Sequence, residues 1–376
     1  MALETLEIKI KTLTPLWTGG VDTTMDRIHE TGIMGSLRWW YEAIVRGLGG
    51  SACDPTEHAC ELAGKRLRRY KNALKEGKDW WTALDEAGIC DACKVFGTTG
   101  WRRRFRLEIV EDNTEPLWEP KDKMLNIRPP GRTRGWYLPP GRMGSLTLKF
   151  TGEPRVLSLI ASIFLFLEKW GSIGAKPQLG YGVFEIERRK EVLEWVKGSG
   201  KDKPGWKWEI LGDKNPNEKL PDLRRFGFFK FQFEITHPDW WTKIPGLKSI
   251  DKQLQLIVSK NHVVPITPIL RNEWRFNQWK KTWGDDREIF GTLKPDRIRS
   301  KVAVSWAYKR EEIWEIKGWG WFIPSSLAYK LKKIIKNKQA WQNALNNLKD
   351  LKIVKFEFQD KVSKEDVLNA IQIQKL

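Results

Sequence analysis

Residues Ile173-Gly174-Ala175-Lys176-Pro177-Gln178-Leu179-Gly180-Tyr181-Gly182 lie between an apolar run and an alternating one, Val183-Phe184-Glu185-Ile186-Glu187. Three glycines within nine residues permit positive φ and close backbone approach, and Lys176 places a cation among backbone N–H donors. That chemistry suits a phosphate. A plain helix-to-strand turn is the other reading. A nucleotide-hydrolysing loop would put Gly-Lys-Ser/Thr at the start of a helix, whereas these glycines follow a helix and lead into a strand.

Reading outward from the loop, Val156 to Leu167 has the length of a buried helix and falls short of the roughly 20 apolar residues a bilayer span needs. Near the start, Leu6, Ile8 and Ile10 alternate with Glu7, Lys9 and Lys11, a half-buried strand that ends at Thr14-Pro15. Ile33, Leu37, Trp40, Tyr41, Ile44 and Leu48 recur at helical spacing, with Gly47, Gly49 and Gly50 as the stop. Arg38 and Glu42 lie four apart on this helix, either as a surface pair or with Arg38 held near the loop of residues 18 to 32. In the next strand Phe105, Leu107 and Ile109 point one way, while Arg104, Arg106 and Glu108 point the other, so one sheet face presents cations. With a strand from Ser145 to Phe150, a helix from Pro154 to Trp170 and a last strand from Val183 to Arg188, the order is β-α-β-β-α-β, that of a ferredoxin-like (RRM-like) domain.

Two insertions interrupt it. Residues 51–94 read as helical, hold all four cysteines, and carry Lys65, Arg66, Arg68, Arg69 and Lys71, a run that reads as a solvated face. Residues 111–141 are rich in Pro, Gly and Arg and read as a loop that reaches a partner. After a connector at 191–222 the pattern restarts. Phe229, Phe231, Phe233 and Ile235 alternate into His237-Pro238-Asp239-Trp240, as the first strand runs into Thr14-Pro15-Leu16-Trp17. Leu270-Arg271 with Trp274 echoes Leu37-Arg38 with Trp40. Ile289-Phe290-Gly291-Thr292 before Arg297 and Arg299 echoes Val95-Phe96-Gly97-Thr98 before Arg104 and Arg106. These echoes predict an internal duplication and an α+β chain of two tandem ferredoxin-like domains, 1–190 and 223–376, the glycine-rich loop at 171–182 lying in the first. Gly318-Trp319-Gly320-Trp321-Phe322 falls out of order and marks the second domain's third strand. A helix from Ser325 to Leu348, a strand from Lys352 to Phe358 and a short helix from Lys364 to Ile373 complete the reading.

The net charge of +19 exceeds what solubility needs and points to a polyanion, most often nucleic acid. Indoles can stack on bases, but most of the 22 tryptophans belong to cores. The opening Met1-Ala2-Leu3-Glu4 lacks a signal-peptide pattern, so the expected location is cytoplasmic, where cysteines stay reduced.

Together these features resemble the RAMP superfamily of CRISPR effector subunits. The family's glycine-rich loop before the last strand of a ferredoxin-like domain is matched by Gly174 to Gly182. Within the superfamily, the resemblance is to the first RAMP subunit of type III-B (Cmr) RNA-targeting complexes. It rests on Thr14-Pro15-Leu16-Trp17-Thr18-Gly19-Gly20, Ile33-Met34-Gly35-Ser36-Leu37-Arg38-Trp39-Trp40, Val95-Phe96-Gly97-Thr98 and the glycine loop. The resemblance implies two ferredoxin-like domains, single-stranded guide or target RNA as ligand, other Cmr subunits as partners, a role in antiviral defence and no membrane. The second domain departs from it in having no comparable glycine loop before Lys352.

On this reading the RNA-contacting residues of the first domain are Arg38, Arg46, Arg104, Arg106 and Lys176, with Trp39 as a stacking platform and Gly174, Gly180 and Gly182 as close-approach positions. The second domain offers Arg271, Arg297 and Arg299. Cys90-Asp91-Ala92-Cys93 has zinc-knuckle spacing, and Cys53 and Cys60, with His58 as a substitute, can complete a tetrahedral site; buried free thiols are the alternative. The rival class is a metal-independent ribonuclease, whose best general base is His29 beside Asp26, Arg27 and Glu30. In the resembled complex a different RAMP subunit does the cutting, so the expected chain is non-catalytic. A scaffold without RNA contact is the third reading. The pairs Asp285-Asp286 and Glu311-Glu312 could bind Mg²⁺, but adjacent acids in polar segments are usually solvated turn residues, and no spacing favours a two-metal site.

Overall fold

The computed structural model describes residues 3–20, 24–119, 124–197, 220–292, 295, 297–321, 325–360 and 366. The first alternating run forms β1 (Glu4–Thr12), with Leu6, Ile8 and Ile10 buried. The helical run forms α1 (Glu30–Gly47), and the first insertion adds α2 (Gly64–Lys75), α3 (Trp80–Glu86) and α4 (Asp91–Phe96). Then come β2 (Phe105–Pro116), a hairpin of β3 (Leu125–Ile127) and β4 (Trp136–Leu138), β5 (Arg142–Gly152), α5 (Pro154–Trp170), β6 (Phe184–Ile186) and α6 (Arg189–Lys197). The antiparallel sheet order is β2-β5-β1-β6, and α1 and α5 pack on one face over a shared core, which is the ferredoxin-like arrangement.

The second half repeats it. In order it contains β7 (Phe226–Ile235), α7 (Asp251–Asn261), β8 (Val263–Val264), α8 (Thr267–Asn272), a π-helical segment (Glu273–Lys280), α9 (Lys281–Trp283) and α10 (Arg287–Phe290). These lead to β9 (Val302–Val304), β10 (Ala307–Arg310), β11 (Ile313–Trp321), α11 (Ser325–Lys336), α12 (Lys338–Ala344) and β12 (Leu351–Asp360). The sheet runs β12-β7-β11-β10-β8, with β9 also on β11, so β12, β7 and β11 take the places of β6, β1 and β5. Gly318-Trp319-Gly320-Trp321 indeed lies in the third core strand, β11.

Several local expectations are corrected. The helix expected from Ser325 to Leu348 is two helices, because Asn337 takes an extended ψ and its side chain accepts the Gln339 N–H at 3.0 Å, capping a new helix. Residues 51–63 are irregular, and the helical part of that insertion begins at Gly64. The 111–141 loop is partly ordered: β2 runs on to Pro116, and the β3–β4 hairpin buries Leu125, Ile127 and Leu138. The last strand of the first domain stops at Ile186, and α6 occupies the start of the expected connector. The rest of that connector, 198–219, and the closing helix apart from residue 366 lie outside the described residues.

Neither sheet presents an open cationic face. On the helix-free side of the first, Lys9 pairs with Glu187 at 3.2 Å, Lys11 with Glu185 at 3.8 Å and Arg106 with Glu108 at 3.0 Å. The expected cationic face is thus a mixed-charge, ion-paired surface. On the second sheet, Phe229, Phe231 and Phe233 face their own helices, while Phe226 and Phe228 turn the other way onto the first domain. There Phe228 meets Phe166 at 5.7 Å and Trp170 at 5.6 Å between ring centroids, so the domains share one aromatic core. No helix of the described residues is long and apolar enough to cross a membrane.

Candidate nucleic-acid interface

Because α1 buries Ile33, Leu37, Trp40 and Tyr41, the positions between them, Thr31, Gly35 and Trp39, face away from the sheet. They form one wall of a groove of about 1300 Å³ between the domains. The glycine loop and the tip of the β3–β4 hairpin form a second wall and supply Lys176, Arg132 and Arg134. The second domain closes the groove with Arg271, Arg275, Arg297 and Arg299. No carboxylate lines it among the described residues.

Rings interleave with these cations. Arg132 lies over Phe276 at 3.6 Å and Arg275 over the same ring at 5.1 Å, Arg299 over Trp39 at 5.6 Å, and Lys176 over Trp17 at 4.0 Å. Among the described residues no carboxylate pairs with Lys176, Arg132, Arg134, Arg297 or Arg299, whereas Arg275 is held by Asp286 at 2.9 and 3.1 Å. Burial lowers the pKa values of Lys176 and Arg299, and no acid offsets it. Cations stripped of water without a counter-charge attract an anion more strongly than solvated ones. Guanidinium planes and exposed rings also stack on bases, so the groove combines phosphate and base chemistry.

The glycine loop works differently from a cradle of free donors. Gly174 N–H donates to Ser36 Oγ at 3.0 Å, Ala175 N–H to the Trp17 carbonyl at 2.8 Å and Gly182 N–H to the Pro15 carbonyl at 2.8 Å. A Cβ on Gly182 would collide with the Ile173 carbonyl oxygen, and one on Gly180 with Trp306 and Thr267 of the second domain. The loop is a joint: Trp306 Nε1 donates to the Leu179 carbonyl at 2.8 Å, and Arg271 to the Gln178 carbonyl at 3.3 Å. Lys176, in the left-handed region at φ 62°, is its one side-chain cation in the groove.

Of the residues expected at RNA, the groove gathers Trp39, Gly174, Lys176, Arg271, Arg297 and Arg299. The others lie elsewhere. Arg46 is buried and donates to the carbonyls of Ala52, Cys53 and Pro221. Arg38 holds Glu42 at 2.9 Å and reaches the Gly97 carbonyl at 3.3 Å, a brace for the Phe-Gly-Thr turn. Arg104 pairs with Glu153 and lies over Trp80 at 4.7 Å, and Arg106 sits on the ion-paired sheet face. Arg271 lines the groove but is 3% exposed, with its guanidinium on the carbonyls of Val302 and Phe290; burial pushes its pKa down to about 9. Sequence reasoning missed Arg275 and Phe276, which sit where the helix widens into π-turns and ordinary periodicity fails. Arg132 and Arg134 belong to the 111–141 insertion, which the sequence shows only as rich in Pro, Gly and Arg.

The thiol sulfurs of Cys53, Cys60, Cys90 and Cys93 all lie within 4.8 Å of one another, and those of Cys53 and Cys93 are 3.6 Å apart. Cys60, Cys90 and Cys93 are buried. Hydrogen bonds from the Cys90 and Cys93 thiols hold the Cys60 thiol well below its usual range. His58 is exposed and outside the cluster, so it is no substitute ligand. His29 precedes α1 and contacts Asp26 Oδ1 at 2.6 Å, but it does not line the groove.

The chain is thus a duplicated ferredoxin-like protein with a groove of cations and rings between its halves. The family description of the RAMP superfamily matches residues 9–185, from within β1 to within β6. No curated protein matches the chain. Among solved structures, Cmr1 from Pyrococcus furiosus in its apo form is 17% identical, with 86% of this chain and 89% of that chain covered and a TM-score of 0.37. A chain of the type III-B Cmr-beta complex bound to cognate target RNA is 11% identical, with coverage of 91% and 98% and a TM-score of 0.39. Cmr6 from Pyrococcus furiosus is 17% identical over 49% of this chain and 98% of its own, with a TM-score of 0.25.

Proposed function

We propose that the chain is a non-catalytic RNA-binding subunit of a type III-B CRISPR effector complex and holds single-stranded guide or target RNA in the interdomain groove. The observation that carries this is the groove's makeup: cations from both domains, interleaved rings and no lining carboxylate. The RAMP match of the first domain supports the same reading. Phosphates would meet Arg297, Arg299, Arg134 and Lys176, and bases would stack against Phe276 and Trp136. Ultraviolet crosslinking of single-stranded RNA to the full chain, read by mass spectrometry, tests it. Adducts at Trp136, Tyr137 or Phe276 are expected; adducts confined to the first sheet's open face would refute it. Incubation with CRISPR repeat RNA in the absence of metal is expected to leave the RNA intact. Discrete cleavage abolished in His29→Ala would establish the ribonuclease instead.

The cysteine quartet serves as a structural zinc site on this reading. Zinc–sulfur bonds of about 2.3 Å in a tetrahedron put sulfurs roughly 3.8 Å apart, and the cluster is already close to that spacing. Cys53 N–H approaches the Cys90 sulfur at 3.4 Å and Cys90 N–H the Cys60 sulfur at 3.5 Å, contacts that suit thiolates. Zinc would tie the irregular 51–63 segment to α4. Metal analysis of purified protein is expected to give about one equivalent, and less than about a tenth would rule the site out.

A further inference from the structure

The helix α2 leaves a whole face of cations unpaired. Lys65, Arg68, Arg69, Asn72 and Lys75 recur at helical spacing, and all are exposed. Ala73 is its one buried residue, with Leu67 and Tyr70 half-buried on the inner side. Among the described residues no carboxylate pairs with any of these cations, although Lys78, just beyond the helix, is held by Glu76 and Glu86 at 2.7 and 2.6 Å. A merely solvated face would be expected to carry i,i+4 acids among its bases, and this one carries none.

The helix is also connected to the groove. Tyr70 packs on Trp101 at 5.6 Å between ring centroids, and the Trp101 indole donates to the Lys94 carbonyl at 3.0 Å, which fixes α2 beside Arg102 and Arg103. Both arginines are exposed, and Arg103 Nη1 lies 3.3 Å from Met34 Sδ on α1. Met34 adjoins Gly35 and precedes Trp39 by five positions, and both of those residues line the groove. Exposed cations thus stand on both sides of α1, with Arg297 and Arg299 in the groove and Arg103 and Arg102 leading to an α2 face roughly 18 Å long.

We infer that α2 is a second phosphate-backbone site, on which single-stranded RNA leaving the groove continues along this track. The inference rests on the groove reading, and it assigns to the cysteine-bearing insertion the task of presenting α2. Recognition would be electrostatic and indifferent to sequence, because the helix offers exposed cations and no free ring.

The test uses the full chain and single-stranded RNAs of about 10 and about 40 nucleotides, shorter and longer than one single-strand groove accommodates. One variant carries Lys65→Gln, Arg68→Gln, Arg69→Gln and Lys75→Gln, all at exposed positions. A second carries Arg297→Gln and Arg299→Gln. The α2 variant is expected to bind the short RNA like wild type and the long RNA at least about tenfold more weakly, its salt slope shallower by about 3. The groove variant is expected to weaken both RNAs. Wild-type binding of the long RNA by the α2 variant overturns the inference and leaves the groove standing. An equal loss for both lengths also overturns it, as does unchanged RNA binding with loss of an acidic protein neighbour. A groove variant that binds both RNAs normally, while the α2 variant loses the long one, refutes the groove and leaves α2 as a site in its own right.

Discussion

Arg38 on α1 and Arg271 on α8 occupy matching places in the two domains, and each reaches a Phe-Gly-Thr turn further along the chain. Arg38 donates to the Gly97 carbonyl at 3.3 Å and Arg271 to the Phe290 carbonyl at 2.9 Å. Gly97 and Gly291 share a positive φ, 87° and 78°, and in each a Cβ would press on the backbone that follows, at Arg103 and Ser300. Their surroundings differ. Arg38 is half-exposed and balanced by Glu42, whereas Arg271 is buried, pairs with no carboxylate among the described residues, and also holds the Gln178 carbonyl of the glycine loop. The same motif is therefore a local brace in one domain and an interdomain clamp in the other.

The largest expected effect breaks that clamp. Arg271→Met leaves buried carbonyls of Val302 and Phe290 without a donor and should cost about 3 kcal/mol or more in denaturant unfolding, against about 1 kcal/mol for Arg38→Met. Equal losses would mean the two arginines do the same job. Next, Gly180→Ala forces a methyl into Trp306 and Thr267 and should cost about 1–3 kcal/mol, with near-ultraviolet dichroism reporting the disturbed tryptophan. A neutral result would remove the joint.

A third effect depends on pH. Lys317 is buried at the same interface, its Nζ 2.8 Å from the Glu168 carbonyl, and burial pushes its pKa down to about 7. A lysine lowered in the folded state binds fewer protons there than when unfolded, so its contribution to stability grows as pH rises from about 7 toward its unfolded value. Wild-type protein should gain stability between pH 7 and 9 relative to Lys317→Met, as measured by thermal unfolding; a constant difference would contradict this. The smallest effect has the opposite sign. Gly35 lies within α1, and a methyl added there would meet nothing within 4 Å, so Gly35→Ala should stabilise by about 0.5–1 kcal/mol.

The duplication was legible because the opening strand of each domain alternates, as in Leu6-Ile8-Ile10 and Phe229-Phe231-Phe233, and α1 buries a regular stripe, Ile33-Leu37-Trp40. The Phe-Gly-Thr turns were also visible as echoes. What their arginines touch was not, since a cation that braces a carbonyl and one that awaits a phosphate look alike in sequence. Phe226 and Phe228 went unnoticed because their face of β7 is buried by the other domain, and no pattern local to β7 records that. The groove itself is assembled from segments more than a hundred residues apart, such as those holding Trp39 and Arg299.

On the proposed reading, RNA lies in the interdomain groove and not across an open sheet face. Single-stranded RNA titrated against salt tests it most directly, comparing Arg297→Gln/Arg299→Gln with Arg106→Gln/Lys149→Gln on the first sheet's helix-free side. The groove pair should lose affinity and flatten the slope of log K against log salt by about 1.4, while the sheet pair matches wild type. A flattened slope for the sheet pair, with the groove pair unchanged, would contradict the account.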